Sequence, residues 1–117
     1  ERFRAGADFS APDYVAAWRE LDAIRERWAA AAAAFDAVLL PTTPNLAPNV
    51  ERCLTDPAHY AEENLLTLRN TRIGNMLGLA ALSLPSGSPG CGLMAMAAPG
   101  GEPGLLRLGI AMERALA

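Results

Sequence analysis

The first long segment of the chain repeats apolar residues with the period of a helix. Ser10 and Pro12 fit an N-cap followed by a first helical turn. One face then collects the large apolar side chains, which recur at seven-residue spacing or fall between: Tyr14, Trp18, Leu21, Trp28, Ala32 and Phe35. This stripe predicts one long N-terminal amphipathic helix, ending near residue 35, that packs on a neighbouring element.

Three short, nearly continuous apolar runs predict strands. They cover residues 37–40 before Pro41, residues 80–84 before Pro85, and residues 92–97. Runs of this length are typical of strands covered on both faces, as in parallel or mixed sheets. The sequence therefore predicts a sheet with helices packed against it.

The remaining segments predict one loop and two further helices. Three prolines between residues 41 and 48 indicate an extended, turn-rich loop. A helix is expected from Asp56 and Pro57 toward residue 77, ended or interrupted by Gly78, and a last one from Pro103. The predicted fold class is α/β: a fragment of a mixed sheet with covering helices, within a single domain of residues 1–117.

Composition narrows the possible functions. A net charge of −3 argues against nucleic-acid binding, and no apolar run reaches the ~20 residues of a membrane span. Cys53, Cys91 and His59 are too few for a four-ligand zinc site without carboxylates, so no metal and no cofactor are predicted. Two cysteines without CxxC spacing suit a reducing cytoplasm.

An ordered set of short motifs runs through nearly the whole chain. A strand reading Asp-Ala-Val-Leu-Leu-Pro-Thr-Thr-Pro is followed by Thr-Arg-Ile-Gly-Asn and then by Ala-Leu-Ser-Leu-Pro. The motif positions are residues 36–44, 71–75 and 81–85, with Pro48, Gly78, Gly87, Gly92, Glu102, Leu105, Leu106 and Glu113.

This succession resembles the C-terminal part of the amidase signature family. That family includes bacterial amidases, the amidase half of allophanate hydrolase and the A subunit of the glutamyl-tRNA amidotransferase. Two positions depart from the family pattern. Ala80 stands where members often have proline, and the strand from Gly92 to residue 97 lacks the proline that members often carry there.

The resemblance implies an amide hydrolase whose nucleophile and base lie outside this region. The family uses two serines and a lysine base, because a hydroxyl attacks only when a neighbouring base takes its proton. All ten cationic residues here are arginines, so no lysine can activate Ser86 or Ser88. A Cys91–His59 pair is the other nucleophilic option, but nothing in the spacing brings the two together. No catalytic residue is therefore predicted.

The resemblance also suggests roles for a few residues. Thr42, Thr43 and Pro44 follow a strand end, where ligands gather in α/β sheets, and are expected to border the substrate pocket; a turn that only sets chain direction is the alternative. Asn75 is expected to be buried and hydrogen-bonded to backbone near the end of the second strand. Gly78 and Pro85 are expected to be structural.

These points predict the C-terminal structural portion of an amidase, which cleaves a small amide only in the complete enzyme. The opening at Glu1 rather than methionine fits a start inside a longer protein or removal of a tag. The alternative is a stand-alone binding or assembly module derived from such an enzyme. An unrelated small α/β domain would follow if residues 37–40 and 81–84 lay in different sheets. Uncovered strands and helix faces also predict self-association.

Overall fold

The computed structural model describes Arg4 and residues 6–116. Five helices and three strands follow a short 3-10 turn at Gly6–Asp8. In chain order they are α1 (Ala11–Ala32), β1 (Val38–Pro41), α2 (Val50–Thr55), α3 (Pro57–Thr67), α4 (Arg69–Leu77), β2 (Ala80–Pro85), β3 (Gly92–Ala97) and α5 (Glu102–Leu116).

The three strands form one sheet in the order β1-β3-β2, so residues 37–40 and 81–84 belong to the same sheet. The predicted α/β class and the long N-terminal helix are both confirmed. Both strand pairs are antiparallel, with Leu40 opposite Met94 and Leu82 opposite Ala95. The connection from β2 to β3 is short enough to form a hairpin, which makes that pair antiparallel.

The core lies on both faces of β3. Ala95 and Ala97 face α5, where Leu105 is buried against them. Met94 and Met96 alternate with these alanines and point to the other face, and Met96 is only 2% exposed. There α4 approaches through Gly74, where an added Cβ would lie 3.3 Å from the Met96 methyl carbon. Helices on both faces explain why β3 is apolar without alternation.

The predicted stripe on α1 is present but poorly covered. Ser10 caps the helix as predicted, its hydroxyl accepting a hydrogen bond from the Asp13 amide. The helix spans 22 residues and ends at Ala32, so Phe35 lies beyond it. It packs on α4, where Arg25 Nε donates to the Met76 carbonyl at 3.0 Å. Tyr14 remains 60% exposed and Trp18 44% exposed.

The molecule is flat and less compact than a typical domain of its length. Its principal extents are 47 × 41 × 18 Å and its radius of gyration is 17.3 Å, against about 13 Å for a compact domain of this length. The chain exposes 8709 Å², whereas a folded monomer of 12.3 kDa exposes about 6,100 Å². The surface thus exceeds the norm by about 2,600 Å², and 18 large hydrophobic residues of the described part of the chain are exposed.

Two helix boundaries differ from the sequence prediction. Between the expected proline-rich loop and the expected helix start at Asp56, the structure has a further helix, α2. Asn49 caps its first turn, since the Asn49 side-chain oxygen accepts from the Arg52 amide at 2.9 Å. The expected single helix after Asp56 is divided at Leu68 into α3 and α4. The predicted Asp56 cap is confirmed, because its carboxylate accepts from two amides of α3. No glycine or proline marks the division at Leu68.

Candidate functional site

The turn after β1 is fixed to the sheet by a pair of hydroxyl groups. The Thr42 amide donates to the Gly92 carbonyl at 2.8 Å, which extends the β1–β3 pairing by one residue. The Thr42 and Ser83 hydroxyls hydrogen-bond to each other across β3. Gly92 makes this possible, since a Cβ there would lie 2.7 Å from Thr42 Oγ1 and 3.3 Å from Ser83 Oγ. The glycine is therefore required by space rather than by backbone conformation.

A second polar network ties the same turn to α3. The Thr43 hydroxyl donates to the Asn45 carbonyl at 3.0 Å. Asn45 Nδ2 donates to the Glu63 carboxylate at 2.7 Å and to Thr67 Oγ1 at 3.0 Å. The Thr67 hydroxyl returns a bond to Asn45 Oδ1 at 3.2 Å. Because Asn45 uses both ends of its amide, it fixes the direction of the chain after Pro44.

The turn lines a small cleft against the β2–β3 hairpin. The cleft has a volume of about 190 Å³. It is bordered by Pro41, Thr43, Pro44, Asn45, Leu46, Gly90, Cys91 and Gly92. Thr43 and Pro44 line this cleft, whereas Thr42 lies behind them in the hydrogen bond with Ser83. The polar groups at the cleft are the Thr43 hydroxyl, the Asn45 amide and the exposed Cys91 thiol.

The nucleophile candidates are not assembled into a catalytic group. The Ser86 hydroxyl and the Ser86 amide both donate to the Cys91 carbonyl, at 3.1 and 3.2 Å, which closes the hairpin loop. Cys91 lines the cleft, but His59 lies in the first turn of α3 and does not border it. Within the described residues, no three His, Cys, Asp or Glu side chains are grouped as metal ligands.

The three residues expected to have structural roles are Gly78, Pro85 and Asn75. Gly78 ends α4 in the left-handed conformation, with φ of 70°, and its amide donates to the Gly74 carbonyl. Pro85 ends β2. The prediction for Asn75 is wrong. Its side chain is exposed, and it has no hydrogen bond to the strand exit near Pro85.

A different asparagine of α4 ties the helix to a strand. Asn70 Nδ2 donates to the Pro41 carbonyl at 2.8 Å. Asn70 is four residues before Gly74, which faces the sheet, so both lie on the same side of the helix. Asn75 follows Gly74 directly and is rotated by about 100° away from the sheet. Because Gly74 marks the side of α4 that faces the sheet, its four-residue spacing from Asn70 is the sequence signal that indicates Asn70, not Asn75, as the buried-side asparagine.

A larger apolar groove lies beyond the polar network. It measures about 620 Å³ and separates α2 from α3. Its walls are formed by Ala47, Pro48, Val50, Cys53, Leu54, Tyr60, Glu63, Asn64 and Thr67. Glu63 and Thr67 are already hydrogen-bonded to Asn45, so the free surface of this groove is mainly apolar.

The pKa of the Asp56 carboxyl, at the start of α3, departs clearly from its ordinary value. The hydrogen bond from the His59 amide lowers the pKa of Asp56, with a smaller contribution from the Ala58 amide and nearby Arg52. This shift reflects a helix cap, and Asp56 does not line the cleft.

Comparisons of this chain with protein-family models, curated proteins and solved structures gave no match. The resemblance to the amidase signature family therefore rests on the order of motifs in the sequence alone. In the described part of the chain, no helix is long and apolar enough to cross a bilayer.

Proposed function

We propose that this chain is the C-terminal structural portion of an amide hydrolase of the amidase signature type. In that role it supplies sheet strands, covering helices and one wall of the pocket for a small amide. It carries no catalytic group of its own. The nucleophilic serine, the second serine and the lysine base belong to the catalytic portion of the complete enzyme.

The observation that carries this proposal is the amount of uncovered apolar surface. The chain exposes 8709 Å², roughly 2,600 Å² above the norm for its mass. Tyr14 and Trp18 on α1 are exposed although they share one face of a long, well-capped helix. An aromatic stripe of this kind is typical of a helix that packs on further protein. The remainder of an enzyme would provide that cover.

The cleft after β1 supports the role as pocket wall. Thr43 and Pro44 line it, and Asn45 is held by Glu63 and Thr67, so the wall has a defined shape before any ligand arrives. Because the donors of the Thr43 hydroxyl and the Asn45 amide are used within the chain, the wall offers these groups to a small polar substrate as hydrogen-bond acceptors. The free thiols of Cys53 and Cys91 support a reducing cytoplasm as its location.

The coding sequence upstream of the Glu1 codon tests this proposal. We expect the reading frame to continue into a lysine-bearing strand followed by a Gly/Ser-rich segment. A reading frame that begins close to Glu1 would favour the alternative, a stand-alone binding or assembly module. A frame that continues into a domain without lysine and without a Gly/Ser-rich segment would contradict both.

We also propose that the isolated chain associates with itself. The exposed stripe of α1 and the outer edge of β2 are surfaces that a folded chain covers when a partner is present. Light scattering at micromolar concentration checks this, and a stable monomer at all concentrations would contradict it.

A further inference from the structure

The two edges of the sheet differ in the backbone groups that they offer. The Thr42 amide donates to the Gly92 carbonyl, and the Ser86 amide donates to the Cys91 carbonyl. In an antiparallel pair the residues alternate between bonding to the partner strand and pointing away from it. Residues 38, 40 and 42 therefore bond to β3 on one side, and residues 80, 82 and 84 bond to it on the other. The odd-numbered residues of β1 and β2 face outward.

The outer edge of β1 is closed. Pro41 faces outward there, and proline has no amide hydrogen to donate. Its carbonyl already accepts from Asn70 Nδ2 at 2.8 Å. Within β1 only Leu39 then presents both a free donor and a free acceptor, which is too short a stretch for another strand to pair with. Proline and a covering side chain are common means of blocking an edge.

The outer edge of β2 is open over a stretch with defined ends. Ala81 and Ser83 face outward and are exposed, and neither has a backbone partner on that side within the described chain. The Leu79 amide is already bonded to the Gly74 carbonyl at 3.0 Å, which ends the stretch on one side. Pro85 ends it on the other, since it lacks an amide hydrogen.

We propose that two copies of this chain pair through their β2 edges into a six-stranded antiparallel sheet. The two-fold axis passes beside Leu82, so Ala81 of each copy lies opposite Ser83 of the other. In this register both amides and both carbonyls of Ala81 and Ser83 find partners, giving four hydrogen bonds between the copies. Centring the pairing on Ser83 or on Ala81 instead leaves carbonyls opposite Pro85 or opposite the occupied Leu79 amide. A two-fold axis requires such a self-complementary edge.

Two exposed apolar residues of α5, Leu106 and Ile110, lie beside this edge. Gly104 and Leu108 share a cavity with Asp36, so this side of α5 faces the β1 side of the sheet. Helical periodicity places Leu106 and Ile110 on the opposite side, next to β2. These two side chains are 59% and 54% exposed. In the pair they cover the joined strands on the face where the two Leu82 side chains meet.

The chain as a whole exposes more surface than a folded monomer of its mass. A standard interface buries about 800 Å² on each partner. The surface of this chain, 8709 Å², exceeds the norm for its mass by roughly three times that amount. The small side chains of Ala81 and Ser83 present no steric obstacle to a neighbouring strand. The pairing is argued from the β2 edge and the neighbouring side of α5, and not from the proposed function.

Two proline substitutions test the outer edges of β2 and β1 independently. Ala81→Pro removes an outward donor of β2 and two of the four proposed bonds, but leaves the bonds between β2 and β3 intact. Leu39→Pro is the matched control, because it removes an outward donor of β1 in the same way. Sedimentation velocity under reducing conditions, which keep Cys53 and Cys91 from crosslinking, should show a dimer for the unmodified chain and for Leu39→Pro. For Ala81→Pro we expect dimer dissociation at concentrations at least tenfold higher.

Amide hydrogen exchange provides a test that needs no variant. The Ala81 and Ser83 amides should exchange slowly at concentrations where the dimer forms and rapidly where it dissociates. The Leu39 amide should exchange rapidly at both. A chain that stays monomeric, a dimer lost with Leu39→Pro and kept with Ala81→Pro, or a dimer in which the Ala81 and Ser83 amides remain unprotected would each overturn the proposal.

Discussion

Gly92→Ala is the substitution for which the structure gives the sharpest expectation. The new methyl group would lie 2.7 Å from Thr42 Oγ1, 3.2 Å from Thr42 Cβ and 3.3 Å from Ser83 Oγ. The Thr42 side chain cannot turn away without losing its hydrogen bond to Ser83. The Thr42 backbone is held by the hydrogen bond from its amide to the Gly92 carbonyl. Any movement of Thr42 that relieves the clash therefore breaks at least one of these hydrogen bonds.

Two effects of this substitution lower the free energy of unfolding, and one raises it. Forcing an extra methyl group into a packed site costs roughly 1–3 kcal/mol. Breaking the hydrogen bond between Thr42 and Ser83 costs about 0.5–1.5 kcal/mol. Replacing glycine in a strand recovers roughly 0.5–1 kcal/mol of backbone entropy. We expect a net loss of about 1–3 kcal/mol in the free energy of unfolding, or about 4 °C in Tm for each kcal/mol.

The assay is urea unfolding at fixed protein concentration, followed through the NMR signal of the buried Met96 methyl group, which reports on the sheet. Thr42→Ala should partly rescue Gly92→Ala, since it removes Oγ1, the atom at 2.7 Å that clashes most severely. We expect a coupling of about 1–2 kcal/mol in the double variant. Gly104→Ala is the control, because a Cβ there meets only the Arg107 guanidinium at 4.0 Å. It should be neutral or stabilising by up to about 1 kcal/mol. A double variant no more stable than Gly92→Ala would refute the argument.

Three further outcomes are expected. The purified chain should release only background ammonia from aliphatic and aryl amides, because it has no lysine base; turnover abolished by Cys91→Ala or Ser86→Ala would contradict this. Asn70→Ala should lower the free energy of unfolding by about 0.5–1.5 kcal/mol, whereas the exposed Asn75→Ala should change it by less than about 0.5 kcal/mol; equal effects would remove the role assigned to Asn70. Because the pKa of Asp56 is lowered on folding, its stabilisation is present above the unfolded pKa and lost as pH falls through the folded one. Urea midpoints at about pH 6 and about pH 3 should therefore differ less for Asp56→Asn than for the unmodified chain.

Much of the fold follows from local rules that the sequence displays. The strand Gly92–Ala97 was predicted with both ends correct, since this apolar run begins at a glycine and is followed by Pro99 and two glycines. The caps at Ser10 and Asp56 and the end of α4 at Gly78 follow from side chains and backbone freedom within one turn. These features depend on neighbours in the chain.

The features that sequence reasoning missed depend on contacts between distant segments. The division at Leu68 has no glycine or proline, and α4 takes its direction from the approach of Gly74 to Met96. The network around Asn45 joins residues about 20 positions apart, so no local pattern indicates it. The hydroxyl pair of Thr42 and Ser83 is separated by a still longer stretch of chain.

The loose attachment of α1 has a consequence for cooperativity. This helix touches the remainder of the molecule mainly along α4, through Arg25 and its neighbours, while the core surrounds β3. A segment with few buried apolar contacts opens at a lower free energy than the core does. Trp18 and Trp28 both lie on α1, so tryptophan fluorescence reports the opening of this one unit. Its midpoint should precede that of the sheet, and two-state analysis of the whole chain would then understate the stability of the core.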